Sequence, residues 1–305
     1  MDFDDGGCMV FYGVAGTESA KVSAVPILSC SEAIERLRTF REVYGGNQQF
    51  LAMYSSIFGG ITTDPTAMVI PLDDHMVHRG HGVFDTAAIF DGYLYELDQH
   101  IDRFLRSAAM AKIKPPFDRE SIRSIISNCE CFQVYDRITK SPPSFKGVKV
   151  VTALVPIKPP QFASVKSVNY LPNALLKMEA EENDAFVGIW LDEDGILLKE
   201  KELLMPQFDK ILCGCTAKRI LTLAQGLVKE GKLKGIRLGD LTVEEGKKAA
   251  EMMLVGSGIL VCPVVQWDDQ VIGDGNEGPV AQALYNLVVE DMKSGPATVR
   301  VPVPY

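Results

Sequence analysis

The sequence predicts a two-domain protein of the α+β class. Its 305 residues are enough for two separate hydrophobic cores. Helical and strand-like patterns follow one another along the chain, and they alternate regularly in the second half. Lys158-Pro159-Pro160 interrupts both patterns and has the composition of a linker. We therefore expect an N-terminal accessory segment at residues 1–49, a small α+β domain at 50–157 and a large α/β domain at 158–305.

The accessory segment is predicted to contain one helix. Ser29-Cys30-Ser31-Glu32 has the spacing of a capping box, and Gly45-Gly46 is a typical helix end. Residues 50–57 then predict a strand, and Gly59-Gly60 predicts a turn. A short extended piece at 68–71 leads into a histidine-containing loop.

A hairpin and a helix follow this loop. Two extended runs, 83–90 and 93–97, are joined by Asp91-Gly92, a dipeptide that tolerates the positive φ angles of a tight turn. From Asp98 onward the apolar residues recur with the period of a helix, until Pro115-Pro116 stop it.

The middle of the chain changes character several times. Asp118 caps a short helix, whereas residues 130–147 lack periodicity and predict a loop or a poorly packed segment. Residues 148–157 are strongly β-like. Beyond the linker we expect a helix at 173–183 and a buried strand at 185–191.

Helices and strands keep alternating after that. An amphipathic helix is predicted at 216–230, and Thr242-Val243-Glu244-Glu245 is a second capping box. A long β run at 252–265 is broken at Gly256-Ser257-Gly258, and Gly278-Pro279 begins the last helix.

Composition excludes several classes of function. The formal net charge of -9 argues against nucleic acid as a partner, because phosphate neutralisation needs a basic face. No apolar run approaches the roughly 20 residues that span a bilayer, so no membrane role is indicated. The acidic start, Met1-Asp2-Phe3-Asp4-Asp5, has neither a basic leader nor an Arg-rich transit character. We therefore expect cytoplasmic residence.

Cysteine and histidine patterns give weak metal signals. Seven scattered cysteines fit free thiols in a reducing compartment. Cys129-Glu130-Cys131 and Cys213-Gly214-Cys215 could join a histidine in a zinc site, but structural zinc usually uses longer spacing. His75, His78 and His81 are interrupted by glycines, which favours a loop lining a cleft over a set of ligands. We expect no metal.

Lys166 is the candidate reactive residue. It lies between valines where a mainly apolar run passes into a helix. A lysine is a nucleophile only when its amine is neutral, and low-dielectric surroundings favour that form, as Schiff-base lysines require. The alternative is a surface lysine at the end of a strand, which local composition alone favours.

Three further features point to an anion. Gly214-Cys215-Thr216 begins a helix, where free N–H groups and a hydroxyl can hold a phosphate. Gly256-Ser257-Gly258 lets the backbone approach a ligand, and Arg103 can supply a fixed positive charge. Each has a plain alternative: a helix cap, a β-bulge and a surface arginine. Together with an activated lysine they suggest pyridoxal 5'-phosphate (PLP), an aldehyde that needs one amine and one phosphate site.

Four ordered motifs carry a family resemblance that runs from about residue 50 to the C-terminus. The sequence resembles the fold type IV PLP enzymes, which comprise branched-chain and D-amino-acid aminotransferases and aminodeoxychorismate lyase, and within them plant D-amino-acid-transaminase-like proteins. The motifs are His78-Arg79-Gly80-His81-Gly82-Val83-Phe84-Asp85-Thr86, Leu97-Asp98-Gln99-His100-Ile101-Asp102-Arg103-Phe104, Val165-Lys166-Ser167-Val168-Asn169-Tyr170 and Gly214-Cys215-Thr216-Ala217-Lys218-Arg219.

The resemblance implies a two-domain type IV fold with the cofactor in the cleft between the domains, the large domain binding it. It implies an aminotransferase that acts on a small-molecule amino acid and a 2-oxo acid, and a homodimer. By position it implies Lys166 as the catalytic lysine that forms the Schiff base. Arg103, Thr216, Ser257 and the Cys215 backbone would hold the phosphate, and Phe84 stands in the substrate pocket where some members carry a tyrosine.

Two departures from the family pattern are visible. Family members have a segment whose glutamate bonds the pyridine nitrogen, whereas here Gly195 runs directly into Ile196, as if roughly a dozen residues were missing. Glu200 and Glu202 are nearby carboxylates, but flanking lysines indicate a solvated charge run. Strands of the small domain also look shortened at 129–147.

These departures set the functional expectation. Without a charged partner for its ring nitrogen, PLP is a poorer electron sink, so we expect impaired transamination. A lyase of the aminodeoxychorismate type and a catalytically inactive variant of the fold remain the alternatives.

Overall fold

The computed structural model describes residues 25–44, 52–130, 144, 146–190, 196–199, 201–208 and 211–303. By its contacts the chain splits into two compact units, Met1–Gln49 and Phe50–Tyr305. Within the described ranges, no helix is long and apolar enough to cross a membrane.

The first unit contains helix α1 (Cys30–Tyr44). Its predicted capping box is present: the Ser29 amide donates to the Glu32 carboxylate at 2.8 Å, and the Glu32 amide donates to the Ser29 hydroxyl at 3.4 Å. The predicted end at Gly45-Gly46 lies outside the described residues.

The second unit begins with β1 (Met53–Ser55), which lies within the strand predicted at 50–57. It pairs with β2 (Gly60–Thr62), which was not predicted and which starts at the second glycine of the predicted turn. The predicted histidine loop is wrong in one respect, because His75–Arg79 forms a short helix, α2. The Asp74 carboxylate accepts from the Met76 amide at 2.7 Å at its start, and Gly80 ends it with a φ of 60°. The glycines bound this helix and do not prevent it.

The predicted Asp91-Gly92 hairpin is confirmed. It joins β3 (Ile89–Phe90) to β4 (Tyr93–Tyr95), with φ angles of 47° and 76° at the two turn residues. Strand β3 is shorter than the run predicted at 83–90. The start of that run lies against the Lys166 segment instead, where Val83 forms an isolated antiparallel β-bridge with Ser167.

Two helices and a distant strand complete this region. Helix α3 (Leu97–Met110) ends before the two prolines, and α4 (Arg119–Glu130) is longer than the short helix predicted. Strand β13 (Arg300–Pro302) pairs with β4 and makes a three-stranded sheet. Leu94, Leu97, Ile101, Val301 and Val303 form the core beneath it. Most of the segment at 129–147 lies outside the described residues.

An eight-stranded mixed sheet dominates the rest of the unit. The strand order is β6-β5-β11-β10-β7-β8-β9, and β12 pairs with β11. Strands β5 and β6, β5 and β11, and β8 and β9 are parallel, and the other pairs are antiparallel. The strands are β5 (Val148–Thr152), β6 (Val187–Ile189), β7 (Ile196–Lys199), β8 (Glu202–Met205), β9 (Gly235–Leu238), β10 (Glu251–Gly256), β11 (Leu260–Trp267) and β12 (Gln270–Val271).

Five helices connect or cover these strands: α5 (Pro160–Ala163), α6 (Leu171–Glu182), α7 (Cys215–Lys229), α8 (Val243–Lys247) and α9 (Pro279–Ser294). The second predicted capping box is present at the start of α8, between Thr242 and Glu245. The largest core cluster lies where α7 and α9 pack on the sheet, around Ile220, Met253 and Leu284. Strand β5 lies before the predicted linker yet pairs with β6 and β11, and the domain boundary at 157/158 stays a prediction.

Candidate active site

Five of the predicted site residues meet at one cavity of about 600 Å³. Lys166, Arg103, Thr216 and Ser257 all line it, and Cys215 does as well. These residues come from α3, the segment before α6, the start of α7 and the turn after β10, so folding brings together groups that are far apart in sequence.

The Lys166 backbone is fixed on both sides. Its amide donates to the Ser107 hydroxyl on α3 at 3.2 Å, and its carbonyl accepts from the Phe84 amide at 3.0 Å. The side chain is half-buried, and its Nζ lies 4.4 Å from the centroid of the Phe84 ring. Tyr170 Oη accepts from the same Nζ at 3.4 Å. A single amine is therefore held against two aromatic side chains.

Tyr170 lies in the Lys166 motif, but the sequence alone did not assign it a role. Its ring packs edge-on against Phe84, with centroids 5.2 Å apart. Residues 166–170 do not form a helix, so the spacing of four between Lys166 and Tyr170 gave no local signal for this contact. Phe84, predicted for the substrate pocket, lies directly at the lysine.

Arg103 is not the surface arginine that was the plain alternative, because it is only 5% exposed. Its Nε and Nη2 donate to the two Asp85 oxygens at 2.8 and 2.6 Å, and His100 Nδ1 lies 2.7 Å from Asp85 Oδ1. Burial alone would raise the pKa of Asp85, but the bonds from Arg103 and His100 outweigh it and lower the pKa to about 2. Arg103 Nη1 donates no hydrogen bond to any residue in the described part of the chain.

The start of α7 and the turn after β10 form the other side of the anion site. The N-cap residue Gly214 has no side chain to bond the first N–H groups of α7. Thr216 Oγ1 and Ser257 Oγ lie 3.5 Å apart at this point. Burial raises the pKa of the Cys215 thiol to about 11, so this thiol is neutral near pH 7 and offers no negative charge. Free amides, two hydroxyls and a guanidinium are the donors that a phosphate requires.

Electrostatics of the cavity wall also favour an anion. The described lining residues include a lysine and an arginine but no aspartate or glutamate. Neither Glu200 nor Glu202 alters this: residue 200 lies outside the described ranges, and Glu202 lies in β8 with Arg237 Nε 3.5 Å away. The donor set therefore fits PLP at its phosphate and aldehyde ends.

A buried ion pair ties the anion site to the rest of the unit. Arg219 on α7 donates to Asp291 on α9 through Nε at 2.7 Å, and Tyr95 Oη donates to the same carboxylate at 2.6 Å. Glu96 lies close by, and burial raises its pKa to about 7.

The weak metal signals find no support in the described residues, where no three His, Cys, Asp or Glu side chains converge on a common point. Cys213 and Cys215 are free thiols, and Cys131 lies outside the described ranges. His75 and His81 approach each other, with their Nδ1 atoms 3.5 Å apart.

Comparison with known proteins gives consistent matches. The model of the family "Amino-transferase class IV" matches residues 82–132 and 131–267. A chloroplastic D-amino-acid transaminase of Arabidopsis thaliana is 54% identical over 324 residues, covering 92% of this chain and 86% of that protein. A D-alanine aminotransferase of Listeria innocua is 24% identical over 267 residues, covering 73% of this chain and 91% of that protein.

Solved structures of branched-chain aminotransferases have the same fold. The enzyme of Thermoproteus uzoniensis with norvaline has a TM-score of 0.69 and 19% identity, and the match covers 81% of this chain and 97% of that one. Another, solved with pyridoxamine 5'-phosphate, has a TM-score of 0.73 and 19% identity, with the same two coverages of 81% and 97%. At this identity the likeness concerns the fold.

Proposed function

The chain belongs to the class IV amino-transferase family, and from that premise we propose that it is a PLP-dependent aminotransferase of the D-amino-acid and branched-chain type. Family membership confirms the type IV fold predicted from the sequence. The observation that carries the proposal is the single cavity that joins one amine, Lys166, to one anion site. Its substrates are a small-molecule amino acid and a 2-oxo acid.

Lys166 has the catalytic role in this proposal. When bound, PLP supplies an aldehyde conjugated to an electron-withdrawing ring, which carries the amino group from one substrate to the other. The Lys166 amine would hold the aldehyde end of the cofactor, and its Nζ would be the group placed to move a proton at the substrate's α carbon. The nearby Tyr170 hydroxyl orients this amine, since it accepts a hydrogen bond from it.

The phosphate is assigned to Arg103, Thr216, Ser257 and the backbone N–H of Cys215. Asp85 supports this assignment, because it holds the Arg103 guanidinium in a fixed direction through two hydrogen bonds. Phe84 is not among the residues that line the cavity, but its ring lies against the Lys166 amine, and we assign it to the substrate side of that amine. Each of these roles is open to substitution and measurement.

Impaired turnover is part of the proposal. No carboxylate belongs to the described cavity wall, so a bound ring nitrogen would have no charged acceptor there. The alignment with the Arabidopsis transaminase extends over 324 positions and so exceeds the 305 residues of this chain. We place the corresponding loss at 129–147 and 195–202. A catalytically inactive variant that still binds PLP is therefore the second candidate function.

The decisive experiment is covalent trapping. The purified chain is incubated with PLP, reduced with borohydride and digested, and the modified lysine is identified by mass spectrometry. We expect the adduct on Lys166, and loss of it in Lys166→Arg. Lys158 is the matched control, since its Nζ lies 5.0 Å from the Tyr170 centroid, and Lys158→Arg should still be modified at Lys166. Failure to trap any adduct would remove the proposed function.

Turnover separates the remaining readings. Slow formation of pyruvate from D-alanine and 2-oxoglutarate supports the impaired transaminase. An adduct without pyruvate supports the inactive variant, and p-aminobenzoate from aminodeoxychorismate would instead identify a lyase.

Assembly and compartment complete the proposal. We propose a homodimer, which sedimentation of the purified chain would test. The Arabidopsis relative is named as chloroplastic, and cytoplasmic residence of this chain stays a prediction from its composition.

A further inference from the structure

An apolar stripe on α6 is exposed to solvent. Leu171, Leu175 and Met178 recur at helical spacing and are 65%, 44% and 56% exposed. With 3.6 residues per turn, these three side chains lie on one side of the helix. The opposite side of α6 is the buried one, where Leu176 and Ala180 pack toward β6 and the core. The stripe therefore adds nothing to the core of a single chain.

A neighbouring leucine widens this stripe. Leu154 is 87% exposed and lies beside α6, because its amide donates to the Glu179 carboxylate at 2.8 Å. Glu179 follows Leu175 by about one helical turn. We call Leu154, Leu171, Leu175 and Met178 together the α6 face. A contiguous apolar patch with a polar rim marks an interaction site, whereas single exposed leucines do not.

The two ends of α6 carry opposite charges. At the N-terminal end, Lys158 Nζ and Lys166 Nζ lie 5.0 and 5.9 Å from the centroid of the Tyr170 ring, and Tyr170 immediately precedes Leu171. At the C-terminal end, the exposed Glu182 lies on the side of the stripe, since it follows Met178 by four residues. The helix dipole adds partial charges of the same signs at both ends. A second α6 laid antiparallel on the first therefore brings unlike charges together twice.

We propose that a second copy of this chain packs on the α6 face, with the two α6 helices antiparallel about a two-fold axis near Leu175. In such a contact the same patch serves both chains, so Leu171 of one copy meets Met178 of the other, and Leu175 meets its own equivalent. The inference rests on the proposed function, because it gives the proposed homodimer its contact surface. The second copy also covers Tyr170, whose hydroxyl accepts from Lys166 Nζ at 3.4 Å, so assembly shields the outer side of that amine.

A charge at the axis tests the surface. In Leu175→Asp two carboxylates face each other across the axis, and the dissociation constant of the dimer, measured by sedimentation over a concentration series, should rise about a hundredfold. Leu238→Asp is the matched control, because this leucine on β9 has the same exposure of 44%. It should leave the dissociation constant unchanged. Circular dichroism checks that both variants are folded.

A disulfide tests the register. Leu175→Cys places two thiols next to the axis, and mild oxidation should give a linked dimer on a non-reducing gel, above the background from the native thiols of the unsubstituted chain. In Leu171→Cys the two thiols lie about 10 Å apart along the helix direction. That separation exceeds the reach of a disulfide, so this variant should stay at background.

The outcomes decide the inference. It is overturned if the unsubstituted chain stays monomeric throughout the series, or if Leu175→Asp associates as Leu238→Asp does. Disruption by Leu175→Asp without a link in Leu175→Cys overturns the antiparallel register. A disulfide from the introduced thiol to Cys30 of the same chain would give the face to α1 and also overturn the inference.

Failure of this inference is distinguishable from failure of the proposed function. Trapping of PLP on Lys166 is scored on its own, so an adduct on a chain that fails these tests leaves the proposed catalytic function standing. A dimer through the α6 face without any adduct overturns that function alone.

Discussion

Replacing Glu96 by glutamine is expected to stabilise the protein at neutral and alkaline pH. Glu96 precedes α3 with a φ of 54°, and its side chain is 6% exposed and makes no capping bond. Burial raises its pKa from 4.5 to about 7, because desolvation outweighs the attraction of Arg219 and the Asp291 carboxylate adds repulsion. The folded protein therefore binds a proton at Glu96 more tightly than the unfolded chain does.

The sign and size of the effect follow from this difference. The stabilisation from the protonated carboxyl is complete below about pH 4.5 and is lost as pH rises through about 7. A pKa difference of about 2.5 corresponds to about 3 kcal/mol at 1.36 kcal/mol for each pKa unit. Glutamine has nearly the same shape and no charge, so Glu96→Gln should avoid most of that loss.

The assay is urea unfolding at several pH values between 4.5 and 8.5, without added cofactor. The difference in unfolding free energy between Glu96→Gln and the unsubstituted protein should be small at pH 4.5 and should grow toward about 3 kcal/mol above pH 8. Glu182→Gln, at an exposed glutamate, should show no such growth. A difference that does not change with pH would refute the reasoning.

Three further substitutions test the contacts around the site. In Asp291→Asn, Arg219 loses a buried counter-charge, so the unfolding free energy in urea at pH 7 should fall by about 3 kcal/mol. In Asp85→Asn, Arg103 is held less firmly, and PLP affinity measured by tryptophan quenching at pH 7 should fall about tenfold, or about 1.4 kcal/mol. Glu251→Ala removes the acceptor for the first N–H groups of α9, which should cost about 1 to 2 kcal/mol in a thermal melt.

Each of these has a matched control nearby. The control for Asp291→Asn is Glu290→Gln, at the exposed neighbouring residue. The control for Asp85→Asn is Asp91→Asn, in the hairpin turn away from Arg103. The control for Glu251→Ala is Glu244→Ala, at an exposed glutamate on α8. A loss in any control equal to that of its partner would contradict the contact assigned to that partner.

Local signals in the sequence predicted local structure well. The Asp91-Gly92 hairpin and the capping boxes at Ser29 and Thr242 depend on residues within four positions of one another, so the pattern contains the whole interaction. Helix α2 was missed although its stabilising residue, Asp74, is equally local. The glycines of that segment were taken as interruptions when one of them is the helix end.

Long-range pairing could not be predicted in the same way. Strand β13 pairs with β4 across about two hundred residues, and its short sequence, Arg300–Pro302, has no period to recognise. Likewise, Arg103 was predicted as a phosphate ligand without its partner Asp85, because a charge pair 18 positions apart leaves no spacing signal.

At the candidate site, too, sequence motifs predicted individual residues but not the contacts between distant ones. Family motifs predicted Lys166, Arg103, Thr216 and Ser257, and the structure brings these four to one cavity, although their roles stay predictions. Tyr170 lies in the Lys166 motif but was not assigned a role, because its hydroxyl reaches the Lys166 amine only in the folded chain.

The double attachment of the Lys166 backbone has a kinetic consequence. Its amide bonds to Ser107 and its carbonyl to Phe84, so the main chain stays fixed while only the side-chain torsions turn. In the proposed function, the Lys166 amine would therefore stay within one side-chain length of the ligand's aldehyde carbon. Its effective molarity at that carbon would be far above that of any free amine in solution.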